Sequence, residues 1–213
     1  MDLNALRETR RLPKSPHSME SIVLASTSPY RRELLSRLQL PFSVAAPHVE
    51  ESPLAGEAPR DTALRLALAK AQAVAVRAPS SIVIGSDQVA AFDGLALSKP
   101  GSRDRAFDQL NRMQGRQVVF HTALAVVRHL DQTQQVDCID TIVVFRSLQR
   151  AQIDAYIDAD QPFDVAGAAK IESLGIALIE SAQCHDPTAL IGLPLIRLVT
   201  MLAALGVAIP PVR

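Results

Sequence analysis

From position 21 onward the chain alternates short apolar runs with stretches of helical period. Residues 21–26 (SIVLAS) are an unbroken apolar run between serines, which predicts a buried strand. Ser28 then precedes Pro29, an N-cap hydroxyl followed by a first-turn proline, so a helix is expected over 29–38. Residues 41–46 read as extended. Leu64, Leu68, Ala71 and Ala75 recur at helical spacing and predict a helix over 60–76. A second buried strand, 81–85, continues through 87–89 towards Asp93-Gly94, a hairpin signal, and Lys99-Pro100 ends that hairpin. Residues 102–113 predict a helix capped by Ser102 and closed by Gly115. Residues 117–128 and 136–145, rich in β-branched and aromatic side chains, predict long antiparallel strands joined by the polar segment 131–134. A helix over 149–158, a loop over 167–175 passing into a strand over 176–179, and a closing helix over 194–205 complete the pattern. Strands and helices alternate without strict βαβ regularity, and a hairpin interrupts them. The expected fold is therefore α/β, a mixed twisted sheet with flanking helices. A soft boundary falls near 114–117.

Two segments need separate treatment. Residues 1–18 carry Arg7, Arg10, Arg11 and Lys14 without an apolar core behind them, which is not a secretory signal. Residues 1–20 read as a flexible extension, or as an upstream start ahead of Met19, with the folded unit over 21–213. Residues 189–209 are almost wholly apolar, yet Arg197 lies within them and Pro194 and Gly206 punctuate them. A charge at mid-membrane costs about 2.5–3.5 kcal/mol, so a buried terminal helix is expected instead of a span.

Composition narrows the function classes. The 213 residues are 48% hydrophobic and 21% charged, which suits a packed globular chain. With 22 basic and 22 acidic residues, no global field draws in nucleic acid or an acidic membrane. Cys138 and Cys184 form no CxxC pair and fit a reduced, cytoplasmic protein. The five histidines have no ligand spacing, so a metal is expected on carboxylate oxygens, which favours magnesium or manganese.

Four groups of residues are candidates for chemistry. No GxxxxGK[ST], GxGxxG or GxSxG is present. Residues 26–32 (STSPYRR) place three hydroxyls and two guanidiniums at a strand-to-helix turn. They read either as an anion cradle or as an ordinary cap beside a solvated basic turn. Asp87 lies just past a very apolar strand, where it would hold a cation or accept a proton from water, or else bond its own backbone in a turn. Glu50 and Glu51 are paired acids in a proline-flanked loop, either a magnesium site or a solvated edge. Lys70 and Lys99 would neutralise phosphate; each alone reads as an ordinary surface lysine. With no nucleophile beside a base, metal-assisted hydrolysis by water is the reaction class that fits.

The motifs STSPYRRELL (26–35), LALAKA (66–71), IGSDQ (84–88), SKP (98–100), AG (166–167) and IGLPL (191–195) resemble, in order, those of the Maf family of nucleoside triphosphate pyrophosphatases. The resemblance implies an inosine-triphosphatase-like fold with a cleft between two lobes. It also implies hydrolysis of a nucleoside triphosphate to the monophosphate and pyrophosphate with a divalent metal: magnesium, manganese or cobalt. By motif, Asp87 matches the proton acceptor, Glu51 and Asp87 the metal-binding acids, and Lys99 joins them in the catalytic set. Ser26, Ser28, Arg31 and Lys70 match substrate-binding positions. Tyr30, Gln88 and Glu172 match the base-selecting positions and are similar to the branch that hydrolyses 7-methyl-GTP. An aromatic face attracts the cationic 7-methylguanine ring, and a carboxylate accepts from its N1–H and N2–H groups. Ser173 departs from a frequent glycine and Glu50 from a frequent aspartate. A dTTP/UTP pyrophosphatase and a nucleotide-binding regulator of cell division with little turnover are the rival readings. A homodimer is a family-level expectation.

Overall fold

The computed structural model describes residues 21–210; the expected N-terminal extension lies outside them. The first half builds β1 (Ile22–Ala25), α1 (Pro29–Ser36), β2 (Phe42–Ala45), α2 (Pro59–Ala75), β3 (Ile82–Phe92), β4 (Leu95–Ala96) and α3 (Arg103–Met113). The second half adds β5 (Gln117–Arg128), β6 (Thr133–Phe145), α4 (Arg150–Asp160), β7 (Ile179–Gln183) and α5 (Leu195–Ala204). The sheet runs β2-β1-β3-β5-β6-β7, with β4 paired to the end of β3. β1 is parallel to β2 and β3, and the remaining pairings are antiparallel. The mixed α/β sheet is thus the one the pattern predicts.

Three local expectations are corrected. β6 begins at Thr133, not 136, because Arg128 and Asp131 close a tighter turn through two hydrogen bonds. The strand expected over 176–179 starts at Ile179; residues 174–178 wind into 3-10 turns. There Gly175 lies so close to Lys170 that a Cβ would press into its carbonyl. The boundary expected near 114–117 divides nothing. Those residues lead into β5, which pairs with β3 from Ile82↔Arg128 to Ala91↔Val119 and with β6 along its other edge.

Alternation along β3 and β5 explains the cleft. On one face Ile82, Ile84, Leu124 and Val126 pack with α1 and α5. Further along that face Ala90, Phe92, Val118 and Phe120 pack with α3 and α4. Ser86, Gln88 and Thr122 stand between these two apolar groups, so the helical cover is interrupted there and the sheet carries two lobes. The opposite face is covered by α2, whose Ala63, Ala67, Ala71 and Val74 pack on Val83, Ala123, Ala125 and Val127. Small residues let α2 approach closely. The terminal apolar segment is a buried helix, with Leu198 and Leu202 fully inside. No helix among the described residues is long and apolar enough to cross a membrane.

Gly85 sets the distance between α2 and β3. A Cβ there would press into the Ala67 carbonyl and stand 2.7 Å from Ala71 N. Gly85→Ala is expected to force α2 off the sheet and to destabilise the fold by about 1–3 kcal/mol. Thermal melts check this; an unchanged Tm would mean that α2 shifts freely.

Candidate active site

At the break between the lobes lies a cavity of about 460 Å³. Ser26, Ser28, Tyr30, Arg31, Glu51, Lys70, Asp87, Gln88, Lys99 and Glu172 all line it, so residues spread over 147 positions of the sequence meet there.

The turn from β1 to α1 is built from its own hydroxyls. Ser26 Oγ accepts from Ser28 N at 3.1 Å, and Ser28 Oγ caps α1 by accepting from Arg31 N. The cap and the anion cradle are therefore compatible, since Thr27 and Tyr30 of this turn border the cavity and neither backbone N–H is used by the cap. Arg31 turns inward and donates from Nε to Gly192 O at 2.8 Å. Burial lowers its pKa, while Asp87 and Glu51 hold it up, and a guanidinium stays protonated. Its neighbour Arg32 is exposed and lines a separate groove beside β2.

Lys70 is not the surface lysine that its helix suggested. It is 5% exposed. Its Nζ donates to Asp87 Oδ1 at 2.6 Å and pairs with Glu51 Oε1 at 2.8 Å. Burial pushes the Asp87 carboxyl above the ordinary aspartate range, Lys70 and Arg31 pull it back, and Glu51 adds to the rise. Asp87 sits within β3 and not in a turn, which removes the backbone-bonded alternative. Glu51 comes from an exposed loop that Arg65 pins down. Arg65 bonds both oxygens of Glu57 and donates to Ser52 O. Arg65 holds the Glu57 carboxyl down to about 2. Glu50 turns away from this centre and accepts from Ser52 N and Oγ.

The Glu51 and Asp87 carboxylates thus converge on one cation, the Lys70 ammonium. The two carboxylates form an all-oxygen donor set of the kind that suits a hard divalent ion, and Lys70 Nζ is bonded to one oxygen of each.

Across the cavity, Glu172 is partly buried and burial raises its carboxyl pKa. Its loop is tied down by Lys170, whose N–H donates to Tyr156 OH and whose Nζ donates to Asp160 O and Gln161 O. Ser173, the departure from glycine, donates to Asp160 Oδ2. Tyr30 is 38% exposed at the cavity edge, and Lys99 is exposed.

Gln88 holds the turn at 189–192. Its Nε2 donates to Thr122 Oγ1, Ala189 O and Leu190 O. Ser86 Oγ donates to Gly192 O, the same carbonyl that receives Arg31. Thr122 and Arg65 therefore shape the site without having been singled out, and Ser86 and Gly192 do so from within the motifs IGSDQ and IGLPL. The polar residues inside the apolar runs at 86–88 and 122 were the available signal; the Arg65–Glu57 clamp gave none.

Breaking a buried ion pair by removing one partner costs about 3–5 kcal/mol. Lys70→Met should therefore lower stability by about 3 kcal/mol at neutral pH. In that variant the folded-state pKa of Asp87, already raised by burial, rises further. The penalty is full above that pKa and vanishes below the ordinary aspartate value of about 3.9. Thermal melts from neutral to mildly acid buffer, with chelator present, should show the variant converging on the parent chain. A pH-independent gap would contradict the assignment.

The profile of the Maf-like protein family matches residues 21–205. A 7-methyl-GTP pyrophosphatase of Methylobacillus flagellatus is 57% identical over 189 residues, covering 89% of this chain and 98% of the relative. A protein of the same name from Bordetella pertussis is 56% identical over 185 residues, covering 87% and 92%. A nucleoside-triphosphatase / dITP/XTP pyrophosphatase structure from Mycobacterium abscessus is 20% identical with a TM-score of 0.40, over 60% of this chain and 75% of that one, too distant to carry an argument. The ordered motifs that meet in the cavity, a profile spanning nearly the whole described fold and relatives sharing more than half of their aligned residues all agree: this chain belongs to the Maf family.

Proposed function

We propose that this protein hydrolyses a nucleoside triphosphate to the monophosphate and pyrophosphate, and that 7-methyl-GTP is its preferred substrate. The observation that carries this reading is the meeting of Asp87, Lys70, Glu51 and Arg31 at one cavity wall beside a helix N-terminus. The relatives from Methylobacillus flagellatus and Bordetella pertussis, both named 7-methyl-GTP pyrophosphatase, point the same way. Two free thiols suit a reducing, cytoplasmic setting.

In this reading the triphosphate lies along the β1–α1 turn. The free N–H groups of that turn, with Arg31, Lys70 and Lys99, neutralise its oxygens. Glu51 and Asp87 would hold a magnesium or manganese ion, which supplies charge neutralisation at the phosphates and lowers the pKa of water. Asp87 accepts the proton of the attacking water; the water oxygen bonds to the α-phosphorus, and the bond to the bridging oxygen breaks to release pyrophosphate. A carboxyl whose pKa is raised by burial is a better proton acceptor than an ordinary aspartate. Most of the remaining rate comes from positioning and fixed charge.

The base lies between Tyr30 and Glu172. A partly desolvated carboxylate gains most from a partner that carries both N–H donors and positive charge, and 7-methylguanine offers both. Gln88 contributes by holding the 189–192 turn that orients Arg31.

Asp87→Asn, which leaves Lys70 paired with Glu51, is expected to lower kcat by about 10²–10⁴-fold in the fraction that folds. Pyrophosphate release at near-parental kcat would remove Asp87 from its role. A panel of 7-methyl-GTP, GTP, UTP and dTTP with magnesium, manganese or cobalt tests the reading: release of pyrophosphate from none of them overturns the reaction, and UTP turning over as well as 7-methyl-GTP overturns the base preference read from Tyr30, Gln88 and Glu172.

Glu172→Gln should lower kcat/KM for 7-methyl-GTP by about tenfold to a hundredfold and leave UTP nearly unchanged. In the parent chain the Glu172 pKa lies above the ordinary glutamate value. Its charged form is lost as pH falls through that raised pKa, so KM for 7-methyl-GTP rises on the acid side while KM for UTP does not. Parallel profiles for the two substrates would exclude Glu172 as the base-reading group.

A further inference from the structure

We propose that His121, Cys138 and Asp140 form a binding site for a thiophilic divalent cation of the zinc class, separate from the nucleotide cavity.

The site is built by strand register. His121 on β5 is paired with Asp140 on β6, and Cys138 is paired with Ala123. Paired residues share a face of the sheet, and so do residues two apart on one strand. Three side chains of three donor types therefore occupy one patch, beside the start of α2. His121 Nδ1 lies 2.8 Å from Asp140 Oδ1, and the Cys138 thiol donates to that same oxygen at 3.8 Å. The ligand atoms of all three lie within 4.8 Å of one another. Ala123, opposite Cys138, carries no side chain beyond Cβ that would fill the space between them.

Nitrogen and sulfur here converge on a single carboxylate oxygen, an arrangement that hydrogens hold together when no metal is bound. A cation replaces those hydrogens. Cys138 loses its thiol proton to solvent and bonds through the thiolate. The imidazole carries its proton on Nε2 and bonds through Nδ1, and Asp140 supplies the oxygen. The N, S and O set selects zinc or cobalt over magnesium. A surface cavity lined by Cys138, Asp140, Cys184 and His185 opens on the patch and gives a path for the ion and a place for a water ligand. None of these four residues lines the nucleotide cavity.

Two features oppose binding and make the test sharper. Arg60 Nε lies 3.8 Å from Asp140, a positive charge beside the proposed ion. Burial pushes the Cys138 thiol up to about 12, so the metal must displace a firmly held proton.

Cobalt(II) titrated into the chelator-stripped, full-length chain without nucleotide tests the proposal through the thiolate-to-cobalt charge-transfer absorption. The chain holds two cysteines, so any such band arises from Cys138 or Cys184. The band is expected in the parent chain, in Cys184→Ser and in the Glu51→Gln/Asp87→Asn double variant, and it is expected to vanish in Cys138→Ser. Asp140→Asn and His121→Gln should each weaken binding by about tenfold or more. Asp140 is an exposed side chain, so its variant reads the site even where Cys138→Ser folds poorly. Zinc should bleach the band, raise the parent Tm and leave the Cys138→Ser Tm unchanged. Absence of a band in the parent chain, survival of the band in Cys138→Ser, or its loss in Cys184→Ser overturns the proposal.

Discussion

A lysine and an aspartate buried against each other at a cavity wall are the constraint around which this molecule is arranged. Neither charge is stable alone in a desolvated setting, and each holds the other in place. The pair forms because α2 lies very close to β3, and that closeness depends on Gly85 and on the alanines of the facing helix surface. Glu51 completes the group from outside, on a loop that Arg65 fastens to the same helix through Glu57 and Ser52. The arrangement at the cavity wall, a buried carboxylate among cations, is thus a by-product of how tightly one helix packs on one strand.

The opposite face of the sheet supplies the space. Had residues 86, 88 and 122 been apolar, the two hydrophobic groups on that face would have merged into a continuous core. Three polar side chains interrupt them, and each is satisfied by a carbonyl of the 189–192 turn. The cleft is therefore paid for in hydrogen bonds that also fix its wall.

Much of this was legible in the chain, and the rest was hidden for definite reasons. Strands β1, β3 and β5 announced themselves as β-branched runs, and helices α1 and α3 through the serines that cap them. β7 did not, because Glu180, Ser181, Ala182 and Gln183 form a solvent-facing edge with no apolar period. Residues 26–32 and Asp87 stood out locally. Lys70 did not, because one charge on an alanine-rich helix looks the same whether it faces water or a carboxylate. Gln88 read as a contact for the base; its partners are carbonyls about a hundred positions further on, and only the fold brings them near. The ordered motifs supplied what local pattern lacked, since they pointed to positions that pattern could not connect.

The shared acceptor at Gly192 has a bearing on how the molecule comes into being. Arg31 belongs to the first helix, yet the carbonyl that aims it lies 161 positions later. During synthesis the opening turn exists long before its partner leaves the ribosome. A nascent chain therefore has the Arg31 guanidinium unaimed until the segment that carries Gly192 has emerged. Tethering of that side chain therefore has to follow translation of residue 192 and cannot be completed by the segment around α1 alone.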